Sequence, residues 1–308
     1  MTRARVVISG AGGFVGSALA VGFAALGWQV TALDLAFDEP TRARLANADL
    51  VMADLAQGVP AELPPARLIV HAAAVTTDPA SLGCTRAAHI AANTRPLLAM
   101  LEHASRTGPE AFVFLSSTGV FAAGDGNGAL TDTDQPTGRS PYAAAKRAAE
   151  LLVPAALEGV AVAHVVRLGY VYGPHEAVRP SRQRVSLLAE WMTAARAGRP
   201  LEVRADDPLR DWTFAPDLAL ALARLADGLS AGRPVHLGSP HALTDSALAA
   251  LVARHVPGAS MVTVPVASPL KPPMAPSDIP ALRGFAWTDP PTAIAQMLDV
   301  LKAGGLRA

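Results

Sequence analysis

The stretch Val6-Val7-Ile8-Ser9-Gly10-Ala11-Gly12-Gly13-Phe14-Val15-Gly16 indicates how this chain folds. A short β-branched run, typical of a buried parallel strand, passes at once into a glycine-rich turn and then into a helical pattern. Gly10 would permit a tight turn, Gly13 a close approach of backbone to a pyrophosphate, and Gly16 close packing of helix on strand. The N–H groups at the start of the helix, at Phe14 and Val15, would then hold the phosphates of a dinucleotide.

An acidic residue ends the second predicted strand, 29–34. Asp34 comes 24 residues after Gly10, where a carboxylate can accept hydrogen bonds from an adenosine ribose. It would repel a 2′-phosphate, so NAD is favoured over NADP, although Arg42 and Arg44 downstream keep NADP as an alternative. Asp54-Leu55, at the end of a third strand, could lie beside the adenine.

Small and polar residues follow the next two predicted strands. The fourth strand runs into Ala72, Ala73 and Ala74, whose small side chains would let a cofactor lie against the backbone. The fifth strand, 111–115, ends at Ser116-Ser117-Thr118, on the edge where open α/β sheets bind ligands. The hydroxyl of Ser117 could hold a substrate oxygen there. The segment between Ser117 and Tyr142, rich in Gly, Asp and Pro, is predicted to be a loop over the site.

A tyrosine and a lysine four residues apart open a predicted helix at Ser140-Pro141-Tyr142-Ala143-Ala144-Ala145-Lys146. Positions i and i+4 share one helix face, so the phenol and the ammonium would project into the same space. A nearby ammonium favours the phenolate and lowers the pKa of the phenol, which makes Tyr142 a usable proton donor or acceptor. The chain has only three tyrosines and three lysines, so chance rarely produces this pair.

Composition excludes several classes of function. Of the 308 residues, 51% are apolar and 17% are charged, which is typical of a globular protein. The formal net charge of zero offers no basic excess for nucleic acid or for an anionic membrane. The single cysteine, Cys84, cannot form an internal disulfide, and no signal peptide is apparent, so we predict a cytoplasmic protein. No cluster of His and Cys predicts a metal site.

The remaining elements are read from local patterns. The segment from His175 to Arg184 is basic and irregular, and the proline-rich segment from Val264 to Pro280 is predicted to be a wandering loop. A sixth strand is predicted over 160–167, further strands at 201–203, 210–214 and 235–238, and helices over 87–104, 185–197, 218–226, 245–255 and 291–301.

Together these motifs resemble the extended short-chain dehydrogenase/reductases, in their NAD-dependent epimerase/dehydratase branch. The resemblance implies an α/β fold, with a Rossmann-type doubly wound parallel sheet and a smaller C-terminal substrate-binding domain. The NAD-binding domain would comprise residues 1–174 plus about 212–238, and the substrate domain about 175–211 and 239–308. The matching motifs occur in the family's order over residues 6 to about 240: Gly10-x-x-Gly13-x-x-Gly16, Asp34, Asp54-Leu55, Ala72-Ala73-Ala74 after His71, Asn93, Ser116-Ser117, Tyr142-x-x-x-Lys146, Arg167, Tyr172-Gly173-Pro174 and Arg210-Asp211-Trp212.

The resemblance also implies roles for single residues. Tyr142 would be the acid–base residue, Lys146 would lower its pKa and hold the nicotinamide ribose, and Ser117 would orient the substrate with Thr118 beside it. Asn93 falls among the cofactor-binding motifs, and Arg210 matches an arginine that often meets the diphosphate of a sugar nucleotide. The resemblance also implies a homodimer, because members of the family often dimerise.

Departures from the family pattern leave the substrate open. Tyr170 stands where an asparagine often contacts the substrate, and Ala205-Asp206-Asp207-Pro208 replaces a Gly-Asp-Gly, which puts two carboxylates near any diphosphate. The Asp-Glu pair that 4,6-dehydratases use is absent after Ser117, so dehydratase chemistry is not expected. We predict an NAD-dependent oxidoreductase or epimerase acting on a hydroxyl or keto carbon of a sugar nucleotide. The alternatives are an NAD-dependent dehydrogenase of a free sugar, sugar acid or other small alcohol, and a non-catalytic NAD-binding regulator.

Overall fold

The computed structural model describes residues 3–229 and 232–302. Residues 1–2, 230–231 and 303–308, which fall within the predicted domain ranges, lie outside it. Within the described ranges, no helix combines the length and the apolar character needed to cross a membrane. The strands are β1 Arg5–Ser9, β2 Gln29–Asp34, β3 Asp49–Met52, β4 Leu68–His71, β5 Ala111–Ser117, β6 Val162–Leu168, β7 Tyr170–Tyr172, β8 Leu201–Arg204, β9 Leu209–Phe214, β10 Val235–Leu237, β11 Ala242–Thr244 and β12 Met261–Val264. The helices are α1 Phe14–Ala25, α2 Glu39–Arg44, α3 Arg86–Thr107, α4 Pro141–Ala156, α5 Leu187–Arg196, α6 Leu218–Ala226, α7 Asp245–His255 and α8 Pro290–Lys302.

The large sheet has seven parallel strands in the order β10-β6-β5-β4-β1-β2-β3. Val6 and Ile8 of β1 pack on one face with Phe23 of α1, whereas Val7 packs on the other face with Leu97 of α3. Alternate residues of a strand point to opposite faces, so an apolar run is needed when helices cover both faces. This arrangement confirms the predicted doubly wound α/β fold.

The strand order reverses at β1. From β1 the chain continues to β2 and β3 on one side, and then β4, β5 and β6 follow on the other side. Such a switch point opens a crevice at the carboxyl ends of the strands. The glycine turn after β1, the alanines after β4 and the serines at the end of β5 all lie at this edge.

A second group of elements packs around its own core. A three-stranded sheet has the order β11-β9-β7, β12 pairs with β8, and α5, α7 and α8 contribute to the core around Tyr172, Trp212 and Met297. In the segment predicted to return to the first domain, α6 packs against α1 and β10 pairs with β6, whereas β9 belongs to the small sheet. The domain ranges themselves remain a prediction.

The proline-rich segment after β12 runs back over the loop that follows β5. The backbone N–H of Leu130 donates to the carbonyl of Pro273 (2.8 Å), and the N–H of Ala275 donates to the carbonyl of Leu130 (2.8 Å). These contacts hold two irregular segments together over the carboxyl edge of the large sheet.

A buried histidine should make the fold sensitive to acid. His164 of β6 is buried, its Nε2 finds no hydrogen-bond partner among the described residues, and burial lowers its pKa to about 4. In the unfolded chain His164 takes up a proton near pH ~6.5, whereas in the folded chain it stays neutral down to about pH 4. The free energy of unfolding therefore falls as the pH drops from ~6.5 to about 4. His164→Leu should make this fall less steep, by up to about 1.4 kcal/mol per pH unit.

Urea unfolding at pH 7, 6 and 5 measures this effect. His255 of α7 is exposed, so His255→Leu should leave the pH dependence unchanged and serves as the matched control. A His164→Leu protein that loses stability as steeply as the parent would show that this residue does not set the acid limit.

Candidate active site

The turn between β1 and α1 brings three backbone segments into contact. Gly10 has a φ of +77°, and a β-carbon there would lie 2.5 Å from the backbone nitrogen of Ala73. A β-carbon on Gly16 would overlap the carbonyl oxygen of Gly10. Both positions therefore need glycine, and the start of α1 is drawn against the ends of β1 and β4.

The N-terminus of α1 has no side-chain cap. Its N-cap residue is Gly13, whereas the N-caps of α3, α4 and α5 are Thr85, Ser140 and Ser186, each of which accepts a hydrogen bond from its own helix. The first N–H groups of a helix need an acceptor, and the helix dipole favours a negative one. An uncapped glycine-rich helix start therefore suits a phosphate.

A cavity of about 250 Å³ opens beside this turn and reaches the Tyr142–Lys146 pair. The predicted cofactor loop and the predicted acid–base residue thus border one space. Ala73 does not line the cavity, but its backbone packs directly against Gly10. The sequence-predicted residues that line the cavity are Gly10, Gly13, Phe14, Val15, Gly16, Ala72, Ala74, Ser117, Tyr142 and Lys146.

The carboxylate of Asp34 lies at the end of β2, next to the glycine turn. It accepts hydrogen bonds from the backbone N–H of Gly12 (2.8 Å) and of Leu35 (2.7 Å). These donors fix the carboxylate beside the turn, in the place where the sequence predicts the adenosine ribose.

Three other predicted cofactor residues are engaged within the fold. Asp54 accepts from the N–H of Ala56 (2.9 Å), and Leu55 is buried in the core against α3. Asn93 clamps Val75: its Oδ1 accepts from the backbone N–H (2.9 Å) and its Nδ2 donates to the carbonyl (3.1 Å). Asn93 therefore holds the loop that carries Ala72 to Ala74.

Ser117 and Tyr142 meet at the edge of the cavity. Helix α4 begins at Pro141, capped by Ser140, and this start places the Tyr142 ring beside Ser117 at the end of β5. Burial raises the pKa of Tyr142, and a hydrogen bond with Ser117 acts in the opposite direction. The pKa of Tyr142 is thus raised, whereas the sequence predicted that Lys146 would lower it. The reason is that desolvation of the phenol outweighs its hydrogen bond.

Lys146 lies one helical turn after Tyr142 and is buried. Its Nζ donates to the carbonyl of Leu115 (2.6 Å) and lies 4.6 Å from the ring centroid of Phe114 and 5.8 Å from that of Tyr142. Burial lowers the pKa of Lys146 to about 7, and the carboxylate of Glu150 opposes that shift. The ammonium is therefore close to losing its proton at neutral pH, and Glu150 helps to keep it charged.

Glu150 belongs to a buried network beneath the cavity. It receives two hydrogen bonds from Arg167, at 2.8 and 2.7 Å, and one from the hydroxyl of Ser116 at 2.6 Å. The guanidinium of Arg167 also lies 4.9 Å from the ring of Phe121. The sequence analysis did not single out Glu150, although its position four residues after Lys146 was a usable signal.

The proline-rich segment brings a further cation to this edge. The Nζ of Lys271 donates to the backbone carbonyl of Thr118 (2.7 Å), while the Thr118 side chain is buried. Burial lowers the pKa of Lys271, and Asp211 and Asp125 oppose that change. Local sequence gave no signal for this contact, because the two residues are 153 positions apart.

Tyr170 and Arg210, both predicted to bind substrate, lie together in the small sheet. The guanidinium of Arg210 makes two hydrogen bonds to the carboxylate of Asp245, at 2.6 and 2.7 Å, and is largely buried. It also lies 4.9 Å from the ring centroid of Tyr170. Arg210 is thus held in an ion pair and does not line the cavity beside Tyr142.

A comparison with models of protein families identifies the family of this chain. The model of the NAD dependent epimerase/dehydratase family matches residues 6–238. The chain belongs to this family. The resemblance inferred from the motifs is therefore confirmed, and with it the prediction of an NAD-dependent enzyme of the extended short-chain dehydrogenase/reductase type.

Solved structures of family members share this fold at low sequence identity. ADP-L-glycero-D-manno-heptose-6-epimerase from Helicobacter pylori superimposes with a TM-score of 0.81 at 19% identity, covering 98% of this chain and 97% of that one. UDP-glucose 4-epimerase from Thermotoga maritima, solved with UDP-glucose, gives 0.79 at 18% identity, covering 97% and 99%. MoeE5, solved with UDP-glucuronic acid and NAD, gives 0.78 at 23% identity, covering 97% and 99%.

Proposed function

We propose that this family member catalyses NAD-dependent hydride transfer at a hydroxyl or keto carbon of a sugar nucleotide, with Tyr142 as the acid–base residue. The observation that carries the proposal is the convergence of Ser117, Tyr142 and Lys146 on the cavity that the uncapped glycine turn also borders. Proton transfer to or from a carbinol oxygen can use these three groups: a tyrosine, the hydroxyl of a neighbouring serine and a buried lysine. A protein that only sensed NAD would have no use for them.

The residues around the cavity fit NAD. Gly10 and Gly13 let a ligand approach the backbone of the turn, the N-terminus of α1 has no side-chain cap and suits an anion, and the Asp34 carboxylate lies where a ribose is expected. Lys146 would hold the nicotinamide ribose. NAD, when bound, supplies the group that accepts the hydride and can return it.

The protein's own groups handle the proton. In the oxidising direction, Tyr142 Oη takes the proton of the substrate hydroxyl, and Ser117 Oγ holds the same oxygen in place. The pKa of Tyr142 is raised in the empty site, so phenolate formation depends on positive charge brought near it, including the ammonium of Lys146. If hydride returns to the other face of the keto carbon, the enzyme is an epimerase. If the product leaves first, it is a dehydrogenase or reductase.

A second cavity supports a substrate as large as a sugar nucleotide. It has a volume of about 670 Å³, lies between α5 and β8, and shares Ala177 with the cavity beside Tyr142. That volume is in the range of pockets that enclose small-molecule ligands. A nucleotide there could present its sugar to Tyr142. The solved relatives that contain UDP-glucose or UDP-glucuronic acid support the same substrate class.

The two carboxylates that replace the family's Gly-Asp-Gly are already engaged. Asp206 pairs with Arg204 at 2.9 and 2.7 Å, and Asp207 accepts from the N–H and hydroxyl of Ser246 at 2.7 and 2.6 Å. They therefore oppose a diphosphate less than the sequence alone indicates. Lys271 adds a positive charge next to Thr118.

One observation favours the second candidate, a dehydrogenase of a free sugar, sugar acid or other small alcohol. Arg210, the expected diphosphate ligand, is paired with Asp245 through two hydrogen bonds. A substrate without a diphosphate would leave this buried ion pair undisturbed.

A thermal-shift panel separates the two candidates. The protein is saturated with NAD, and UDP, dTDP, GDP, ADP and CDP are added one at a time. A nucleotide at ~100 times its dissociation constant should stabilise the folded state by about 2.7 kcal/mol. We expect one base to give a clear rise in melting temperature.

Two variants of α5 test where the nucleotide binds. Thr193→Trp, in the wall of the second cavity, should abolish the rise in melting temperature. Arg196→Trp, exposed on the same helix outside the cavity, should retain it. No shift with any nucleotide would favour the small-alcohol dehydrogenase.

A further inference from the structure

The irregular segment 175–186, which we call the basic strap, crosses the glycine-turn cavity. On one side, Arg179 Nη2 donates to the carboxylate of Asp38 (2.6 Å) and to the hydroxyl of Thr41 (3.0 Å), both beyond β2. On the other side, the carbonyl of Ser181 accepts from the backbone N–H groups of Thr76 (2.8 Å) and Thr77 (3.1 Å), beyond β4. The strap is thus hydrogen-bonded to both sides of the crevice, beyond β2 and beyond β4.

Arg182 of the strap lies against Phe14, the first residue of α1, and borders the same cavity as the glycine turn. Its guanidinium is 4.9 Å from the ring centroid of Phe14, and the arginine lines the cavity. Nη2 donates to Glu176 Oε2 (2.8 Å), which fixes the orientation of the group. Nη1 is buried and finds no acceptor among the described residues. A buried N–H without an acceptor destabilises the protein unless a ligand supplies one.

The other cations that line this cavity already have hydrogen-bond acceptors. Lys146 donates to the carbonyl of Leu115 at the Tyr142 end, and Arg179 pairs with Asp38. Glu176 also accepts hydrogen bonds from the N–H and hydroxyl of Ser186, so its carboxylate oxygens are shared between Ser186 and Arg182. Among the cavity-lining residues, Arg182 therefore combines a side-chain donor that lacks an acceptor with a position against Phe14, the first residue of α1.

We propose that Arg182 binds the pyrophosphate of NAD, acting together with the uncapped N-terminus of α1. A guanidinium presents several N–H groups in one plane, a geometry that matches phosphate oxygens. The contact places a residue of the basic strap in the cofactor site, although the strap lies outside the motif that predicted the site. This inference rests on the NAD dependence of the family and on no particular substrate.

Binding of NAD and its fragments tests the proposal without any substrate. Isothermal titration calorimetry of NAD, ADP and adenosine is compared for the parent, Arg182→Gln and Arg184→Gln. Adenosine lacks the phosphates, so it reports the adenine and ribose contacts alone. We expect Arg182→Gln to weaken NAD and ADP about 10- to 100-fold, the effect of losing a charge-assisted hydrogen bond, and to leave adenosine unchanged.

Arg184 is the matched control, because it lies in the same strap but is exposed and does not line the cavity. Arg184→Gln should bind all three ligands as the parent does. Equal losses for ADP and adenosine in Arg182→Gln, or no loss for either, would overturn the proposal. If Arg182→Gln does not fold, Arg182→Lys is measured in its place. The ratio of its ADP affinity to its adenosine affinity should be lower than that of the parent, because lysine lacks the planar set of N–H donors of a guanidinium.

Failure of this proposal can be told apart from failure of the proposed function. A parent protein that binds no NAD would contradict the proposed function itself. Normal NAD binding by Arg182→Gln would remove only the role of Arg182 and would leave the nucleotide panel and the role of Tyr142 untouched.

Discussion

Replacing Tyr142 by phenylalanine is expected to lower turnover by about 10²- to 10⁴-fold, the usual contribution of a positioned acid–base group. The substitution removes one oxygen and keeps the ring, which lies against Gly119. Burial disfavours the charged phenolate in the empty site, so removing the hydroxyl should not destabilise the fold. NAD should still raise the melting temperature of the variant as it does that of the parent.

Tyr172→Phe is the matched control. The Tyr172 hydroxyl is buried and has no hydrogen-bond partner in the described part of the chain, and the residue belongs to the core of the small sheet. Its loss should leave turnover close to that of the parent. Turnover is measured by NADH formation, or by product analysis if hydride returns within one cycle, using the sugar nucleotide that the thermal-shift panel identifies. A Tyr142→Phe enzyme with parental turnover would contradict the assignment of Tyr142.

Replacing Glu150 by alanine is expected to destabilise the fold by about 3–5 kcal/mol, because it leaves the buried guanidinium of Arg167 without its counter-ion. Both side chains are almost fully buried, at 6% and 4% exposure. The hydroxyl of Ser116 loses its acceptor as well. Urea unfolding of the parent and the variant at pH 7 measures the difference in the free energy of unfolding.

Glu102 provides the comparison on the surface. It pairs with Arg106 one turn away on α3, and both side chains are well exposed. Because water already solvates these charges, Glu102→Ala should barely change the free energy of unfolding. If Glu150→Ala and Glu102→Ala had similar effects, the buried network would not be a main support of the large sheet.

Elements with a strong local pattern could be predicted from the sequence. The strand 29–34 and the helices 218–226 and 245–255 were predicted with the bounds that the structure has. The fold followed from the glycine turn after β1, because strand, turn and helix are adjacent in sequence and constrain one another. The same holds for Tyr142 and Lys146, whose spacing alone places them on one helix face.

Contacts between distant segments could not be predicted. Nothing near Arg210 in the sequence indicates that Asp245, 35 residues later, accepts hydrogen bonds from its Nε and Nη2. The three residues of β7 are too few for a strand pattern, and they form a strand because β9 lies alongside. The raised pKa of Tyr142 likewise depends on how tightly the surrounding segments close around the phenol. Such features require the packed structure.

The basic strap affects the residence time of a bound cofactor. The strap is fastened beyond β2 and beyond β4, so a dinucleotide lying beneath it would leave the cavity only when one set of these contacts opens. Exchange is then governed by the opening rate of the strap and not by affinity alone. A cofactor with a residence time longer than one turnover would be oxidised and reduced in place, which suits an enzyme that gives the hydride back to its own substrate.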